Sequence, residues 1–519
     1  MKIRTPILLA LVASAALTSR SEGAQGTAPG TPETVEHAAR AADFTVGLDY
    51  DDARKELAAS DPDSALIGLE KARLALYEGD CDGAAAILAR PEIAKTEQGE
   101  TLSDIARGCA RATAATVIDK DDAKAVEVRY QDEHDRALTP LIVETVVLAR
   151  DALTRDLGVT WPKPTRITVV RDLMSLSVMT GLPYEAATTT GTVAVAKWGR
   201  VTLLSPRASH HGYSWRDTIA HELTHLAVTR ATVDRAPLWL QEGTAKREEI
   251  RWRAPGPFDD RPPVDTVVVR GIEMKMDLAL DKLGPSIAML PSADAAMVAF
   301  AEVTSFVRFL ATTSPPDALP RLFLALRNHK SVDAALVDST GSDLKAWDVK
   351  WRASLASSKK DMSLLDMLGL GNVQTNRRET RDRVRLAELL FGREHPEQAL
   401  AELDKVPGKD ALGDPSLRHL RGRILEALGR TKEAEPLFAD PKDVPVSYGG
   451  WWALRGRFAR DRGDGAVADP SFVEAVAADP FNVEAACESL DPGASPAAPP
   501  ARLLCDAARK MGEPLLGQD

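Results

Sequence analysis

The sequence predicts a mainly α-helical fold built around a smaller α+β domain. Residues 35–134 are rich in Ala and helical in pattern, and residues 375–512 repeat small and apolar positions with a period close to 34 residues. Between these regions, short runs of β-branched residues at 166–204 favour strands. A chain of 519 residues is too long for one ordinary domain, so we expect about two to four domains.

The N-terminus has the layout of an export signal. Lys2 and Arg4 precede an apolar stretch at residues 7–17, and small and polar residues follow. The stretch is too short to cross a membrane, so we expect residues 1–24 to be removed as a signal peptide. The mature protein is then predicted to be periplasmic or secreted, with no membrane span.

The composition of the chain bears on its binding partners and on the redox state of its cysteines. The formal net charge is −11 and no basic stripe stands out, so a nucleic-acid partner is not expected. The four cysteines form two pairs that are close in sequence, Cys81 with Cys109 and Cys487 with Cys505. An even count in an exported chain permits two disulfides, although reduced core residues fit the sequence equally well.

Residues 135–359 contain the predicted α+β domain, preceded by an N-terminal α-helical region at 35–134. Apolar periodicity and β-branched runs predict its elements. These are, in order, a helix over 140–157, a strand over 166–170, a hairpin of strands over 192–196 and 200–204, helices over 215–233 and 238–252, and later helices over 299–310, 319–328 and 344–351.

The segment His221-Glu222-Leu223-Thr224-His225 has the spacing of a zinc-binding motif. Residues four apart lie on one face of an α-helix, so His221 and His225 can bind one Zn²⁺ through their ring nitrogens. Glu222 lies at the edge of that face, where a carboxylate can accept a proton from a water molecule whose pKa the metal lowers. A catalytic zinc needs a third protein ligand, and Glu242 is the candidate. Apolar neighbours predict that this helix is buried, so its polar side chains need partners.

A second segment, Pro237-Leu238-Trp239-Leu240-Gln241-Glu242-Gly243, strengthens this prediction. Together with the motif it resembles the gluzincin metallopeptidases, in particular the peptidase MA-like family. The resemblance implies that His221, His225 and Glu242 bind Zn²⁺ and that Glu222 is the general base. It therefore implies hydrolysis of peptide bonds.

The resemblance covers roughly residues 140–355 and also carries expectations about the fold. It implies a small sheet before the motif helix and a helical subdomain after the helix that carries the glutamate. An edge strand of that sheet would pair with extended substrate backbone, and either residues 193–196 or residues 201–204 could form that edge.

Some neighbouring residues are weaker candidates or departures from the family pattern. Asp234 lies in a predicted turn and ranks below Glu242 as the third ligand, and Glu248 and Glu249 are further alternatives. Lys246 stands where thermolysin-like enzymes have an acidic residue that supports a ligand. That support is therefore not reproduced at this position.

The group that would stabilise an oxyanion is also unusual. Zinc peptidases commonly use a Tyr or His for this purpose, but the chain has no Tyr between Tyr213 and Tyr448, and Phe300 stands where related sequences often have one. His211 and Tyr213, just before the motif helix, are the predicted donors. Three arginines after Glu242 could also donate, although solvent-facing positions are their default: Arg247, Arg251 and Arg253.

Small and aromatic residues recur in the C-terminal part. Two copies contain Gly422, Ala434 and Phe438, then Gly456, Ala468 and Phe472, and a weaker copy contains Ala387, Ala399 and Leu403. The pattern resembles tetratricopeptide repeats over residues 375–512. Small residues let paired helices approach closely, so the repeats imply either a groove for a protein partner or a packing role.

Two functions from different classes fit the sequence. An exported zinc-dependent peptidase, acting on a peptide or protein substrate, is favoured by the complete ligand set and its general base. The alternative is a non-catalytic cell-envelope binding or assembly protein that contains zinc and binds a protein partner through its repeats. The missing downstream Tyr motivates this alternative.

Overall fold

A computed structural model describes most of the chain. The described residues are 31–161, 164–209, 212–255, 259, 263–284, 286–356, 377–406, 415–441, 444, 448–488, 504–507 and 509. The predicted signal peptide at residues 1–24 and the candidate donor His211 lie outside them.

Helices predominate around a small sheet, as the sequence predicts. The N-terminal helices are α1 (Pro32–Val46), α2 (Tyr50–Ala58), α3 (Ala65–Glu78), α4 (Cys81–Leu88), α5 (Pro91–Ala94) and α6 (Glu97–Thr113). The central part comprises β1 (Val117–Asp121), β2 (Val126–Tyr130), α7 (Thr139–Leu157), β3 (Thr165–Val170), α8 (Leu173–Thr180), α9 (Tyr184–Thr190), β4 (Ala194–Lys197), β5 (Arg200–Leu204), α10 (Trp215–Thr232), α11 (Leu238–Glu248), α12 (Val264–Glu273), α13 (Ala293–Thr313), α14 (Ala318–Arg327), α15 (Val332–Thr340) and α16 (Leu344–Leu355). The C-terminal helices are α17 (Arg377–Phe391), α18 (Pro396–Leu403), α19 (Pro415–Ala427), α20 (Thr431–Ala434), α21 (Gly449–Asp461), α22 (Gly465–Ala478) and α23 (Val483–Glu488).

The sheet has the strand order β1-β2-β3-β5-β4. Strands β2, β3 and β5 are parallel, whereas β1 and β4 pair antiparallel at the two edges. All five residues of β5 are buried, as expected for a strand inside a covered sheet. Of the two segments predicted to form the edge beside the motif helix, residues 193–196 therefore contribute the edge strand and residues 201–204 do not.

Strands β1 and β2 correct the helical prediction for residues 117–130. In β2 the buried residues are Val126, Val128 and Tyr130, and the residues between them are partly exposed. This alternation has the period of two that a strand produces, and a helix would not place those three side chains on one face. The sheet thus begins before residue 135, where the sequence placed the start of the central domain.

Helix α10 carries the predicted metal motif and packs against β4, β5, α7 and α11. It ends at Thr232 because the next two residues, Val233 and Asp234, adopt left-handed φ angles of 51° and 56°. Helix α11 then starts at Leu238 and packs back onto α10. It ends at Glu248, four residues before the predicted end. The short loop between α10 and α11 brings the two predicted ligand segments together.

Helix α11 also packs closely on α13 through Gly243. A Cβ atom at Gly243 would collide with the carbonyl oxygen of Val303 and with the side chain of Val307. By length and composition α13 could cross a membrane, but 61% of its apolar window is buried. Its contacts with α11, α12 and α16 make it a core helix of the central part.

Arg200 joins the N-terminal helices to the sheet. Its guanidinium donates a hydrogen bond of 3.0 Å to the carbonyl oxygen of Leu76, and its Nη2 lies 3.3 Å from the Sγ atom of Cys109. Burial lowers the pKa of Arg200 to about 10. Cys109 forms a disulfide with Cys81, and Cys487 forms one with Cys505, so both cysteine pairs that the sequence left open are disulfides.

The C-terminal helices pack in pairs as the small residues predict. A Cβ atom at Gly456 would lie 2.8 Å from the ring of Phe472, and one at Gly422 would collide with the ring of Phe438. Gly456 therefore admits an aromatic ring from α22, and Gly422 admits one from the short 3-10 helix Glu435–Phe438 that follows α20. This packing agrees with helical repeats, while their assignment as tetratricopeptide repeats stays a prediction.

The last helical pair shares a core with the central part. Phe481, which follows α22, is 4% exposed and belongs to the same apolar cluster as α10. The Arg207 guanidinium lies 5.6 Å from its ring centroid, and the backbone N–H of Tyr213 donates to the carbonyl oxygen of Ala478 at 3.3 Å. The loop that leads into α10 is therefore held by the C-terminal part.

We expect Phe481→Ala to destabilise the central part as well as the repeats. Removing a large buried ring costs about 3–5 kcal/mol. Hydrogen exchange at the α10 amides should accelerate in the variant. Val473→Ala, at a position of α22 that is 61% exposed, is the matched control and should change stability by less than about 0.5 kcal/mol. Unchanged exchange in α10 of the Phe481 variant would contradict the shared core.

Glu302 should make the stability of the fold depend on pH. It is fully buried on α13, accepts a hydrogen bond of 3.2 Å from the N–H of Leu278, and its pKa is raised by burial to about 7. The folded state therefore binds this proton more tightly than the unfolded state, and stability falls as the pH rises from about 4.5 to about 7.

We expect Glu302→Gln to raise the thermal midpoint at pH 8, with a gain of up to about 3 kcal/mol that shrinks towards pH 5. The amide keeps the acceptor for Leu278 and removes the buried charge. Thermal unfolding of both proteins across this pH range measures the effect. Glu185→Gln, at an exposed position, is the control and should shift the midpoint little. A Glu302→Gln gain that is as large at pH 5 as at pH 8 would refute this account.

Candidate metal centre

The two motif histidines face the same point beside α10. His221 and His225 are four residues apart on this helix, and their Nε2 atoms lie 3.2 Å from each other. His221 is 9% exposed. Both rings present a nitrogen to the side on which α11 packs.

Glu242 of α11 completes a compact donor triangle. Its Oε2 atom lies 3.6 Å from Nε2 of His221 and 3.4 Å from Nε2 of His225. A tetrahedral zinc site with bonds of about 2.0–2.1 Å separates its donors by about 3.3 Å, so the three separations fit such a site. Among the described residues, these three form the group of His, Cys, Asp and Glu side chains that could hold a metal ion.

Each histidine also has a partner at its other ring nitrogen. Nδ1 of His221 lies 3.1 Å from Oε2 of Glu249, and Nδ1 of His225 lies 3.4 Å from Oε1 of Gln241. Metal-binding histidines usually donate this second N–H to an oxygen acceptor, which fixes the ring and its tautomer. Gln241 on α11 and Glu249 directly after its end supply that arrangement.

The electrostatics of the cluster favour a cation at its centre. Burial lowers the pKa of His221, but hydrogen bonds with Glu242 and Glu249 outweigh it and raise the pKa to about 9. Burial raises the pKa of Glu242, yet the two histidines hold it well below its usual range. In Glu249 the nearby Lys246 and His221 likewise outweigh burial, and they lower the pKa to about 2. When both histidine rings are neutral, a divalent cation among the three donors would supply the positive charge that stabilises these carboxylates.

Glu222 lies next to the donor triangle without being part of it. It is 7% exposed, and its charge raises the pKa of both His221 and His225, which shows that it is close to both rings. No hydrogen-bond donor to its carboxylate occurs among the described residues.

The other candidate residues that the structure describes here lie outside the donor triangle. Asp234 lies in the left-handed turn after α10, where burial raises its pKa to about 6, and it is not part of the donor group. Tyr213 uses its hydroxyl to donate to the carbonyl oxygen of Leu204, so the same proton cannot be donated to an oxyanion. Glu248 pairs with Arg247 and is not in the donor group either.

The three arginines predicted as alternative donors are all in ion pairs. Arg247 pairs with Glu248, Arg251 lies 2.6 Å from Asp156, and Arg253 lies 2.8 Å from Asp217. Their guanidinium groups are therefore engaged with carboxylates around α11.

Sequence reasoning did not assign the roles of Gln241 and Glu249 beside the histidines. The sequence offers Glu249 only as an alternative ligand and Gln241 only as part of the second segment. Their spacing offers a signal, because Glu249 follows Glu242 by seven residues and so lies on the same helical face. The contact with His221 depends on the crossing of α10 and α11, which the spacing does not contain.

The chain has no match among the curated proteins searched. A family model described as the Peptidase MA superfamily matches residues 148–357, which include both α10 and α11. The matched part is less than half of the chain. It supports a peptidase, an enzyme that hydrolyses peptide bonds. The segment that holds the donor triangle is therefore similar to the Peptidase MA superfamily.

Proposed function

We propose that the protein is an exported, zinc-dependent peptidase with His221, His225 and Glu242 as metal ligands. The donor triangle carries this proposal, because its three separations of 3.2, 3.4 and 3.6 Å fit one tetrahedral zinc ion. The family match over residues 148–357 supports a peptidase in the same segment.

The residues of the chain divide the chemistry between them. Bound zinc would polarise the scissile carbonyl and lower the pKa of water. Glu222 is the residue that would accept a proton from a water molecule in the site and deliver it to the leaving amine, because it lies beside both histidines on α10. Strand β4, at the open edge of the sheet and in contact with α10, offers backbone groups to an extended peptide.

An oxyanion donor is needed in addition. Tyr213 and the arginines after Glu242 already have partners. Of the sequence candidates, His211 is therefore the one we propose. It precedes α10 in the chain by only a few residues.

Export is proposed from the N-terminal sequence and is supported by the two disulfides. Disulfides persist in oxidising compartments such as the periplasm or the extracellular space. The substrate of the enzyme is then an exported peptide or protein.

A second function is favoured by the helical pairs at the C-terminus. If the zinc site were only structural, the chain would act as a cell-envelope binding protein whose repeats hold a protein partner. Phe300 supports this alternative, because it cannot donate a hydrogen bond where related sequences often have Tyr. Turnover of an unfolded protein substrate separates the two functions, since only the peptidase produces it.

Zinc content tests the ligand set. We expect the purified protein to bind one zinc ion, and Glu242→Ala to lose it, because two histidines alone are too few for a catalytic zinc site. Metal analysis after dialysis measures the content. The control is Glu185→Ala, on the exposed surface, which should keep the metal. Full zinc content in Glu242→Ala would show that another residue is the third ligand.

Glu222→Gln tests the chemistry separately from the metal. The amide keeps the size of the side chain but cannot accept the proton, so peptide hydrolysis should fall by at least about 10²-fold while zinc stays bound. Cleavage of an unstructured peptide library and metal analysis on the same sample measure both effects. Unchanged cleavage by a zinc-loaded variant would exclude Glu222 as the base.

A further inference from the structure

One face of α11 presents three charged residues to the metal site. Glu242, Lys246 and Glu249 are separated by four and three residues, so they lie on the same side of the helix. Glu249 directly follows the last residue of α11 but keeps helical dihedral angles, and its N–H donates to the carbonyl oxygen of Ala245 at 2.9 Å. Its position is therefore set by the helix.

The carboxylate of Glu249 is held from two sides. One of its oxygens, Oε2, lies 3.1 Å from Nδ1 of His221. The Nζ atom of Lys246 lies 3.0 Å from that oxygen and 3.2 Å from the other. The ammonium of Lys246 thus contacts both carboxylate oxygens of Glu249, and one of these oxygens, Oε2, also contacts the ring of His221.

The ammonium group of Lys246 also lies beside an aromatic ring. The group lies 5.6 Å from the centroid of the Phe300 ring. Its side chain is 32% exposed and that of Glu249 is 23% exposed, so both are partly withdrawn from solvent. A charge-assisted contact in such surroundings is stronger and more directional than one on an open surface.

These contacts have a consequence for His221. An acceptor at Nδ1 keeps the proton on that nitrogen, so the lone pair of Nε2 points to the donor triangle. Because Lys246 contacts both oxygens of Glu249, it also fixes the orientation of this carboxylate.

We propose that Glu249 is the positioning residue for His221 and that Lys246 acts through Glu249 by fixing its carboxylate. The proposal rests on the metal site of the proposed function. It also gives a role to Lys246, which stands where thermolysin-like enzymes have an acidic residue. In this chain the acidic group is one turn further along α11, and the lysine orients it.

Zinc affinity tests the proposal without any measurement of turnover. The metal-free full-length protein would be titrated with Zn²⁺ in competition with a chromophoric chelator. We expect Glu249→Ala to weaken zinc binding by about 10-fold to 100-fold. Glu249→Gln keeps an acceptor for Nδ1 and should lose less, and Lys246→Met should also lose less.

The double variant Lys246→Met with Glu249→Ala provides the sharper test. If Lys246 acts through Glu249, the double variant binds zinc as tightly as Glu249→Ala alone. The absorption spectrum of the Co²⁺-loaded proteins should change in Glu249→Ala and in the double variant alike, because the spectrum reports the ligand geometry. Glu273→Ala, which removes a glutamate paired with Arg270 on α12, is the control and should leave the affinity unchanged.

Each contrary result has a distinct meaning. An unchanged zinc affinity in Glu249→Ala would overturn the positioning role while leaving the metal site and the peptidase intact. Losses that add up in the double variant would overturn the dependence of Lys246 on Glu249. If the wild-type protein bound no zinc at all, the metal site would fail and the proposal with it. Loss of folding is recognised by the thermal midpoint of each metal-free variant.

Discussion

The close packing of α11 on α13 at Gly243 determines where the metal site can form. No side chain fits between this position and the backbone of Val303, so the two helices approach more closely than ordinary residues allow. On the neighbouring turn, Trp239 packs edge to face on Phe306, with ring centroids 5.2 Å apart. Glu242 directly precedes the glycine. The proposed third ligand, Glu242, therefore takes its position from a closely packed helix pair instead of a loop.

The same helix explains why charge is distributed as it is around the site. Glu242 on α11 and Glu249 directly after it both contact His221, and Lys246 contacts Glu249, while Arg247 pairs with Glu248. Because these groups are fixed by one helix, their separations change little unless α11 moves as a whole. Electrostatic preorganisation of this kind is what a hydrolytic site requires.

Much of the fold and the proximity of the three candidate ligands could be predicted from the sequence, because both depend on local spacing. The four-residue separation of His221 and His225 puts them on one face in any helix, and the hairpin around residues 197–199 follows from two short β-branched runs with a turn between them. Strands β1 and β2 were missed because their alternation covers only five residues each, beside an Ala-rich helical region. The choice of β4 as the edge strand depends on long-range pairing, which local patterns do not contain. The contact between Glu249 and His221 depends in the same way on how two helices cross.

The shared core around Phe481 bears on how the C-terminal array can change in evolution. Helical repeats usually gain or lose units at their ends, because each unit contacts only its neighbours. Here the last pair, α21 and α22, leads into a residue packed with α10, so the end of the array is anchored to the body that holds the metal site. A repeat inserted between α22 and Phe481 would separate this ring from α10 and break the shared core. The anchor therefore limits where the array can lengthen, and added units are expected to be tolerated least at this end.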